Sequence, residues 1–178
     1  TSDFTPYLHT EYIQEKLAAL ELLRDCACPV AILHPSTVYG PGMQEEVLRG
    51  LRGRVKLVPP GGTSGVALGD FLRALDLVVE KRARGAWIVN GENFTFRDLF
   101  RWAARGSWCL RLPLPAFLEP VFQAIAQRRW GAGFAVHHSA FGFKYYSSGR
   151  IRHELGWAPQ VSVANAIKEA LDGGTPSR

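Results

Sequence analysis

A short apolar run behind a helical segment is the feature that most constrains how this chain can fold. The run is CPVAIL, Cys28 to Leu33, and it is bounded by Pro35, which is typical of a buried β-strand. Ahead of it, apolar side chains recur at helical spacing as far as Arg24, and Thr5-Pro6 is a typical helix start. A helix followed by a buried strand is the repeat of a parallel sheet, so the sequence predicts an α/β fold.

The segments after this strand continue the alternation of strands and helices. HPSTVYGPG is predicted as a loop because it holds two prolines and two glycines. A helix is predicted from Asp70, with Leu72, Leu75 and Val79 on one face. Strands are predicted in RVKLVPPGG, GAWIVNGEN and FKYYSS, and further helices at 44–53 and in TFRDLFRWAAR, SSGRIRHELG and SVANAIKEALDGG, the last two stopped by Gly.

Composition and charge exclude several classes of function. The 178 residues fit one domain or a large piece of one, and the net charge of +5 is spread without a basic stripe, so no nucleic-acid partner is expected. The chain lacks an apolar run of about 18 residues and a secretory leader, so we expect no membrane association and a cytoplasmic protein. The spacing of Cys26 and Cys28 and the isolated pair His137-His138 do not fit a metal site, and none is expected.

Five segments together resemble one enzyme family. They are PYLHTEYIQE, VAILHPSTVYGPG, GVALGDFLRALDLVVE, GAWIVNGENFTFRDLF and YYSSGRIRHELGWAPQVSVANAI. In this order they resemble the C-terminal half of an extended short-chain dehydrogenase/reductase, a family that includes sugar-nucleotide epimerases and dehydratases, dihydroflavonol reductases and 3β-hydroxysteroid dehydrogenases. The NGEN-FTF stretch and the R-x-x-x-E-L-G-W-x-P tail look most like the dihydroflavonol-reductase-like branch.

The resemblance implies the C-terminal part of a Rossmann-type fold together with its smaller substrate-binding lobe. Residues 1–43 would hold the active-site helix, the following strand and the loop on the nicotinamide side. Residues 44–172 would be mainly the lobe, with a returning strand near 86–90, and 173–178 a tail. No glycine-rich phosphate turn occurs in the sequence, so the half that binds the pyrophosphate is expected to be missing.

The implied cofactor is NAD or NADP, which the sequence does not distinguish, and this chain alone is expected to bind it weakly or not at all. The implied substrate is a small organic molecule or a sugar nucleotide. The sequence does not begin with Met, which is expected if it is part of a longer chain. The predicted strand at 30–33 would leave an apolar edge exposed, so we expect a homodimer, association with the missing half, or aggregation.

Two tyrosines compete for the family's Tyr-x-x-x-Lys position. Tyr12 is followed by Lys16 at the right spacing, whereas Tyr7 is followed by Glu11. Thr10 and Glu15 match the family pattern only when Tyr7 is the tyrosine. Tyr7 also lies 27 residues before His34, near the spacing usual in the family, and Tyr12 only 22. We therefore favour Tyr7, which places Glu11 at the lysine position.

This assignment has a chemical consequence. In the family the lysine binds the nicotinamide ribose and lowers the pKa of the tyrosine phenol, so that the phenol can exchange a proton near neutral pH. A carboxylate at Glu11 would raise that pKa instead, although it could still accept hydrogen bonds from the ribose hydroxyls. The resemblance thus implies impaired tyrosine-dependent chemistry.

The resemblance also assigns residues outside the first helix. Pro35, Ser36, Thr37 and Val38 would line the nicotinamide end, alongside Tyr7, and Tyr39 and Asp70 would face the substrate. Without the family, the same loop is a strand-ending turn and Asp70 an acid at a helix N-terminus. Three interpretations stay open: a portion of an active reductase, epimerase or dehydratase; a non-catalytic member that binds a nucleotide or a partner; and an independent interaction module.

Overall fold

The computed structural model describes residues 11–24, 28–104, 110–130 and 140–173. The helices are α1 (Glu11–Arg24), α2 (Glu45–Gly50), α3 (Leu68–Glu80), α4 (Phe96–Ala103), α5 (Glu119–Trp130), α6 (Gly149–Leu155) and α7 (Val163–Asp172). The strands are β1 (Ala31–Pro35), β2 (Thr37–Tyr39), β3 (Val55–Val58), β4 (Gly62–Ala67), β5 (Gly85–Val89), β6 (Glu92–Thr95) and β7 (Leu110–Pro113).

The strands form three small sheets that are mostly parallel. β1 pairs with β5 in parallel, and β3 pairs with β7 in parallel. The third sheet has the order β2-β4-β6, in which β2 and β4 are parallel and β4 and β6 antiparallel. These parallel pairs and the helices that join them confirm the predicted α/β class.

Two apolar cores hold these sheets to the helices. In the first, Leu48 of α2 and Ile167 of α7 pack with Phe94 of β6, and both aliphatic side chains are fully buried. In the second, Trp87 of β5 packs against Val78 of α3 and Ile151 of α6. The C-terminal helices thus close both cores, so the fold depends on the last 25 described residues for much of its packing.

Local capping signals place several helix ends where the sequence predicts them. Thr95 caps α4 in a capping box with Asp98, and Ser162 caps α7 by accepting from the amide of Asn165. Gly156 stops α6 in the left-handed conformation, with φ of 73°. Leu72, Leu75 and Val79 share a face of α3 as predicted, but that face is exposed. The buried side of the helix is formed instead by Asp70, Ala74 and Val78.

Two local predictions were wrong. The segment HPSTVYGPG contains a strand, β2, because Thr37 to Tyr39 pair with residues 65–67 of β4, which lie far away in sequence. FKYYSS is not a strand within the described part of the chain. The hydroxyl of Ser64 accepts from the amide of Tyr146 at 3.0 Å, so a side chain takes the place of a backbone ladder there. Among the described helices, none is long and apolar enough to cross a membrane.

Candidate functional site

The carboxyl ends of β1 and β5 meet at one edge of their sheet. The two strands are in register from Ala31 opposite Gly85 to Pro35 opposite Val89. Ser36 follows directly and is buried, and its amide donates to the carbonyl of Val89 at 3.0 Å. Parallel α/β sheets bind their ligands beyond the carboxyl ends of the strands, so this edge is the first candidate site.

The four residues assigned to the nicotinamide side run from this edge into the neighbouring sheet. Pro35 ends β1, Ser36 bridges to β5, and Thr37 and Val38 begin β2. The Ser36 hydroxyl also lies 3.4 Å from the Val89 carbonyl, which keeps it turned inward. Val38 packs against the second core, whereas the partly exposed Thr37 hydroxyl has no hydrogen-bond partner among the described residues. Thr37 is therefore the member of this group that can offer a polar group at the edge.

Tyr39 lies in the core. Its side chain is 4% exposed, and its ring packs against Phe94 with centroids 6.1 Å apart. Burial raises the pKa of its phenol well above the ordinary value, so the group stays protonated at physiological pH. The substrate-binding role assigned to Tyr39 stays a prediction.

Asp70 is 1% exposed and joins α3 to the segment between α6 and α7. Its carboxylate accepts from the amides of Gln160 and Val161 at 3.1 and 3.0 Å, and Arg73 forms an ion pair with it. Its own backbone carbonyl accepts from the indole of Trp157 at 3.0 Å. The carboxylate is thus fully engaged inside the protein, and its predicted contact with substrate stays a prediction.

A cluster of polar side chains follows β5, and sequence reasoning missed it. The side-chain amide of Asn90 donates to Asn93 Oδ1 at 2.9 Å and to the carbonyl of Tyr146 at 2.8 Å. Ser148 Oγ accepts from the backbone amide of Asn90 at 2.7 Å and donates to the backbone carbonyl of Asn90 at 2.6 Å. Asn90 is 4% exposed, and its Oδ1 is buried without a hydrogen-bond partner. The N-G turn after an apolar strand was the available signal, and it indicated only a turn.

A second candidate site, also missed, lies beyond the carboxyl ends of β3 and β7. It is a cavity of about 470 Å³. It is lined by Val58, Pro59, Pro60, Thr95, Arg97, Arg111, Pro113 and Leu114. A hollow of about 290 Å³ adjoins it and is lined by Arg97, Asp98, Arg101 and Arg111. The cavity therefore combines an apolar wall with a basic one.

Asp98 is the acid of this second site. Its pKa is lowered, chiefly because the Thr95 hydroxyl donates to it at 2.7 Å, with smaller contributions from Arg101 and Arg97 and an opposing one from burial. A carboxyl whose pKa is lower in the folded than in the unfolded protein stabilises the fold above the unfolded pKa. This contribution is lost as the pH falls through the folded value.

We predict that Thr95→Val raises the pKa of Asp98 toward the ordinary 3.8, and by more than Arg101→Gln does. The reason is that the Thr95 hydrogen bond is the largest cause of the shift. A carbon-detected NMR titration of the carboxyl measures both variants, with Arg84→Gln, which lies outside the cavity lining, as the control. A larger rise for Arg101→Gln would show that charge, not the hydrogen bond, dominates.

Several predicted residues lie outside the part of the chain described. Tyr7, Cys26, His137 and His138 are among them, and Glu11 is placed only as the first residue of α1. Within the described ranges, no group of three or more His, Cys, Asp or Glu side chains is arranged to hold a metal ion.

No protein-family model matches the chain, and no curated protein matches it. Solved structures do match. The nucleoside-diphosphate-sugar epimerase PA4631 from Pseudomonas aeruginosa superimposes with a TM-score of 0.68 at 19% identity, covering 97% of this chain and 57% of that one. The UDP-N-acetylglucosamine 4-epimerase from Bacillus cereus gives 0.66 at 13%, with 100% and 62% covered.

The Bordetella bronchiseptica enzyme WbmG, in complex with NAD, gives a TM-score of 0.66 at 20% identity, covering 91% of this chain and 48% of that one. The chain thus spans about half to three fifths of the structures it matches. Its fold is that of the C-terminal part of Rossmann-type epimerases, which confirms the predicted fold.

Proposed function

We propose that this chain is the C-terminal portion of an NAD(P)-dependent reductase, epimerase or dehydratase. Its reaction is the transfer of a hydride to or from a hydroxyl or carbonyl carbon of a small organic or sugar-nucleotide substrate. The observation that carries this function is the edge where β1 and β5 end together, with Ser36 fixed between them. The WbmG structure, which matches this fold, contains NAD.

The residues at this edge fit the nicotinamide end of the cofactor. The Thr37 hydroxyl is partly exposed and has no partner among the described residues, and Asn90 Oδ1 is a buried acceptor without a donor. A carboxamide or ribose hydroxyl of the cofactor would supply the hydrogen-bond partner that each of these two groups lacks. When bound, NAD(P) supplies the hydride acceptor or donor. The chain contributes Pro35, Ser36 and Val38 as a stiff apolar support, because Ser36 is turned inward and Val38 packs on the core.

In this function Tyr7 would be the residue that donates and accepts the proton. A phenol can donate and accept a proton efficiently only when its pKa is brought near the working pH, and a cation one helical turn away serves that purpose. Glu11 stands four residues after Tyr7 in the sequence, where the family has its lysine, so we propose that the chain binds the nicotinamide end but carries out proton transfer poorly.

The test is Glu11→Lys, made in the longest chain that the gene encodes. A positioned acid–base group typically contributes about 10²- to 10⁴-fold to a rate, so we expect kcat to rise at least tenfold while the KM for cofactor changes little. Turnover is followed by NAD(P)H absorbance over a panel of UDP-sugars and small ketones. Glu15→Lys, one turn further along the exposed surface of α1, is the matched control.

Two further variants decide between the tyrosines. Tyr7→Phe should abolish the gain made by Glu11→Lys, whereas Tyr12→Phe should leave it intact. The reverse pattern would assign Tyr12 and Lys16 as the dyad. Normal turnover in the unaltered protein with no gain from Glu11→Lys would refute the impairment.

A further inference from the structure

The turn between β5 and β6 holds a chemically labile pair of residues. The pair is Asn90-Gly91, and neither of the other two asparagines, Asn93 and Asn165, precedes a glycine. In an Asn-Gly pair the backbone nitrogen of the glycine can attack the side-chain amide carbon of the asparagine, because glycine has no Cβ to obstruct the approach. The turn therefore carries both reacting groups of a deamidation.

The folded chain holds each atom that would react. The Gly91 nitrogen, which would attack, donates to the carbonyl of Gly65 at 3.0 Å. Asn90 Nδ2, which would leave, donates to Asn93 Oδ1 at 2.9 Å and to the carbonyl of Tyr146 at 2.8 Å. Asn90 Oδ1, which would take up negative charge, is buried without a donor to stabilise that charge. The closed structure thus offers neither a free nucleophile nor a stabilised oxyanion.

The closed state of this turn depends on residues 145–148. Ser148 Oγ bonds both the backbone amide and the backbone carbonyl of Asn90, at 2.7 and 2.6 Å. The Tyr146 carbonyl accepts from Asn90 Nδ2, and the Tyr146 amide donates to Ser64 Oγ at 3.0 Å. Residues 145–148 lie outside any helix or strand, so side-chain hydrogen bonds hold them in place of a backbone ladder. When these bonds open, water reaches Asn90, which is otherwise 4% exposed.

We propose that Asn90-Gly91 is a site of spontaneous deamidation, that opening of residues 145–148 sets its rate, and that the product keeps these residues open. In the first step the Gly91 nitrogen loses its proton to hydroxide, and its electron pair forms a bond to Asn90 Cγ. The Cγ–Nδ2 bond then breaks, and the amine takes a proton from water and leaves as ammonia. In the second step water opens the resulting succinimide and yields aspartate or isoaspartate at position 90. One water molecule is consumed for each ammonia released, and no oxidant or reductant is needed.

The product does not fit the closed structure. A carboxylate at position 90 has only acceptors, and it would face Asn93 Oδ1 and the Tyr146 carbonyl, which are acceptors too. Isoaspartate also adds one methylene to the backbone between β5 and β6. Val89, whose carbonyl holds Ser36, is the residue before this change, so the modification reaches the edge where β1 and β5 end. The proposal concerns the chain's own chemistry and does not depend on the proposed function.

The test is mass spectrometry of peptides from the full chain after incubation at mildly alkaline pH. We expect the mass gain of NH₂ replaced by OH at Asn90, and none at Asn93 or Asn165. Ser148→Ala is expected to speed the conversion about tenfold or more, because loss of two buried hydrogen bonds favours the open state. Ser147→Ala is the matched control, since its exposed hydroxyl accepts from the Gly149 amide instead, and it should leave the rate unchanged.

The chain unfolded in urea gives the rate of the unprotected pair. A folded chain that converts as fast as the unfolded one, or an unfolded chain that does not convert at Asn90, would overturn the proposal. A melting curve shows whether Ser148→Ala is folded at the incubation temperature. If it is not, Asn93→Ala decides, because it removes an acceptor of the Asn90 amide from an exposed position. Its rate should lie between those of the unaltered and the unfolded chain, and an unchanged rate would refute control by opening.

The effect of the product is tested with Asn90→Asp. Hydrogen exchange at the Tyr146 amide, which donates to Ser64 in the closed state, is expected to accelerate at least tenfold. Asn165→Asp is the control, because it makes the same chemical change at an exposed position in the first turn of α7. Unchanged exchange at Tyr146 in Asn90→Asp would show that the product does not hold residues 145–148 open.

Discussion

Asp70→Asn is expected to lower the free energy of unfolding by about 3 kcal/mol. The Asp70 carboxylate accepts two backbone amides, those of Gln160 and Val161, and pairs with Arg73 in a site that is 1% exposed. The substitution keeps the shape but turns one acceptor into a donor that faces the same amides. At least one amide and the Arg73 charge then lose their partner.

Urea denaturation followed by tryptophan fluorescence measures this effect. Asp76→Asn is the matched control, because it makes the same chemical change on an exposed position of α3 and should alter stability by no more than about 0.5 kcal/mol. Equal unfolding midpoints for the two variants would show that the hydrogen bonds of the Asp70 carboxylate do not stabilise the fold. A protein with Asp70→Asn that is fully stable but has lost affinity for substrate would support the substrate-contact role instead.

The structural role of Asp70 explains why its predicted contact was difficult to judge from sequence. An acid at the start of a helix is a common feature, and nothing local shows what it faces. The groups that it binds lie 90 and 91 residues further along the chain. Folding brings them together through the packing of Trp157 on α3, which no spacing rule within one helix predicts.

The elements predicted correctly are those specified by neighbouring residues. Thr95 and Asp98 form a capping box within four residues, and Gly156 ends α6 by adopting a left-handed conformation. The strands that were missed, β2, β6 and β7, have three or four residues each. Strands this short exist because of their partners, and β7 pairs with β3 across more than 50 residues.

The two candidate sites also differ in how far neighbouring residues in the sequence could predict them. The ligand edge after β1 could be proposed from sequence because the carboxyl end of a parallel strand is where ligands bind, and its nicotinamide role stays a prediction. The cavity beyond β3 and β7, which Arg97 and Arg111 line, could not be predicted from the sequence. Arg97 belongs to a helix and Arg111 to a strand, and only the pairing of β7 with β3 brings them to one wall. Taken alone, each was an ordinary surface charge.

Gly61→Ala is expected to destabilise the protein by about 3 kcal/mol. A methyl group at Gly61 would overlap the carbonyl oxygens of Ala140 and Gly142, which are backbone atoms and cannot move as a side chain does. The same backbone forms a hydrogen bond from the Gly61 amide to the Ala140 carbonyl at 3.1 Å. The segment after residue 140 must therefore leave β4.

This displacement should propagate in a defined order. The Gly62 amide donates to the carbonyl of Gly142, and the Gly62 carbonyl accepts from the amide of Lys144. Two residues further on, the amide of Tyr146 donates to the hydroxyl of Ser64. Hydrogen exchange should thus accelerate at the amides of Gly62, Lys144 and Tyr146 before it does so in α7. Gly69→Ala is the control, because no atom lies within 4 Å of the added methyl. Alanine at that helical position should stabilise the protein by about 0.5–1 kcal/mol. Unchanged exchange in Gly61→Ala would mean that the 140–146 segment does not depend on this close approach to β4.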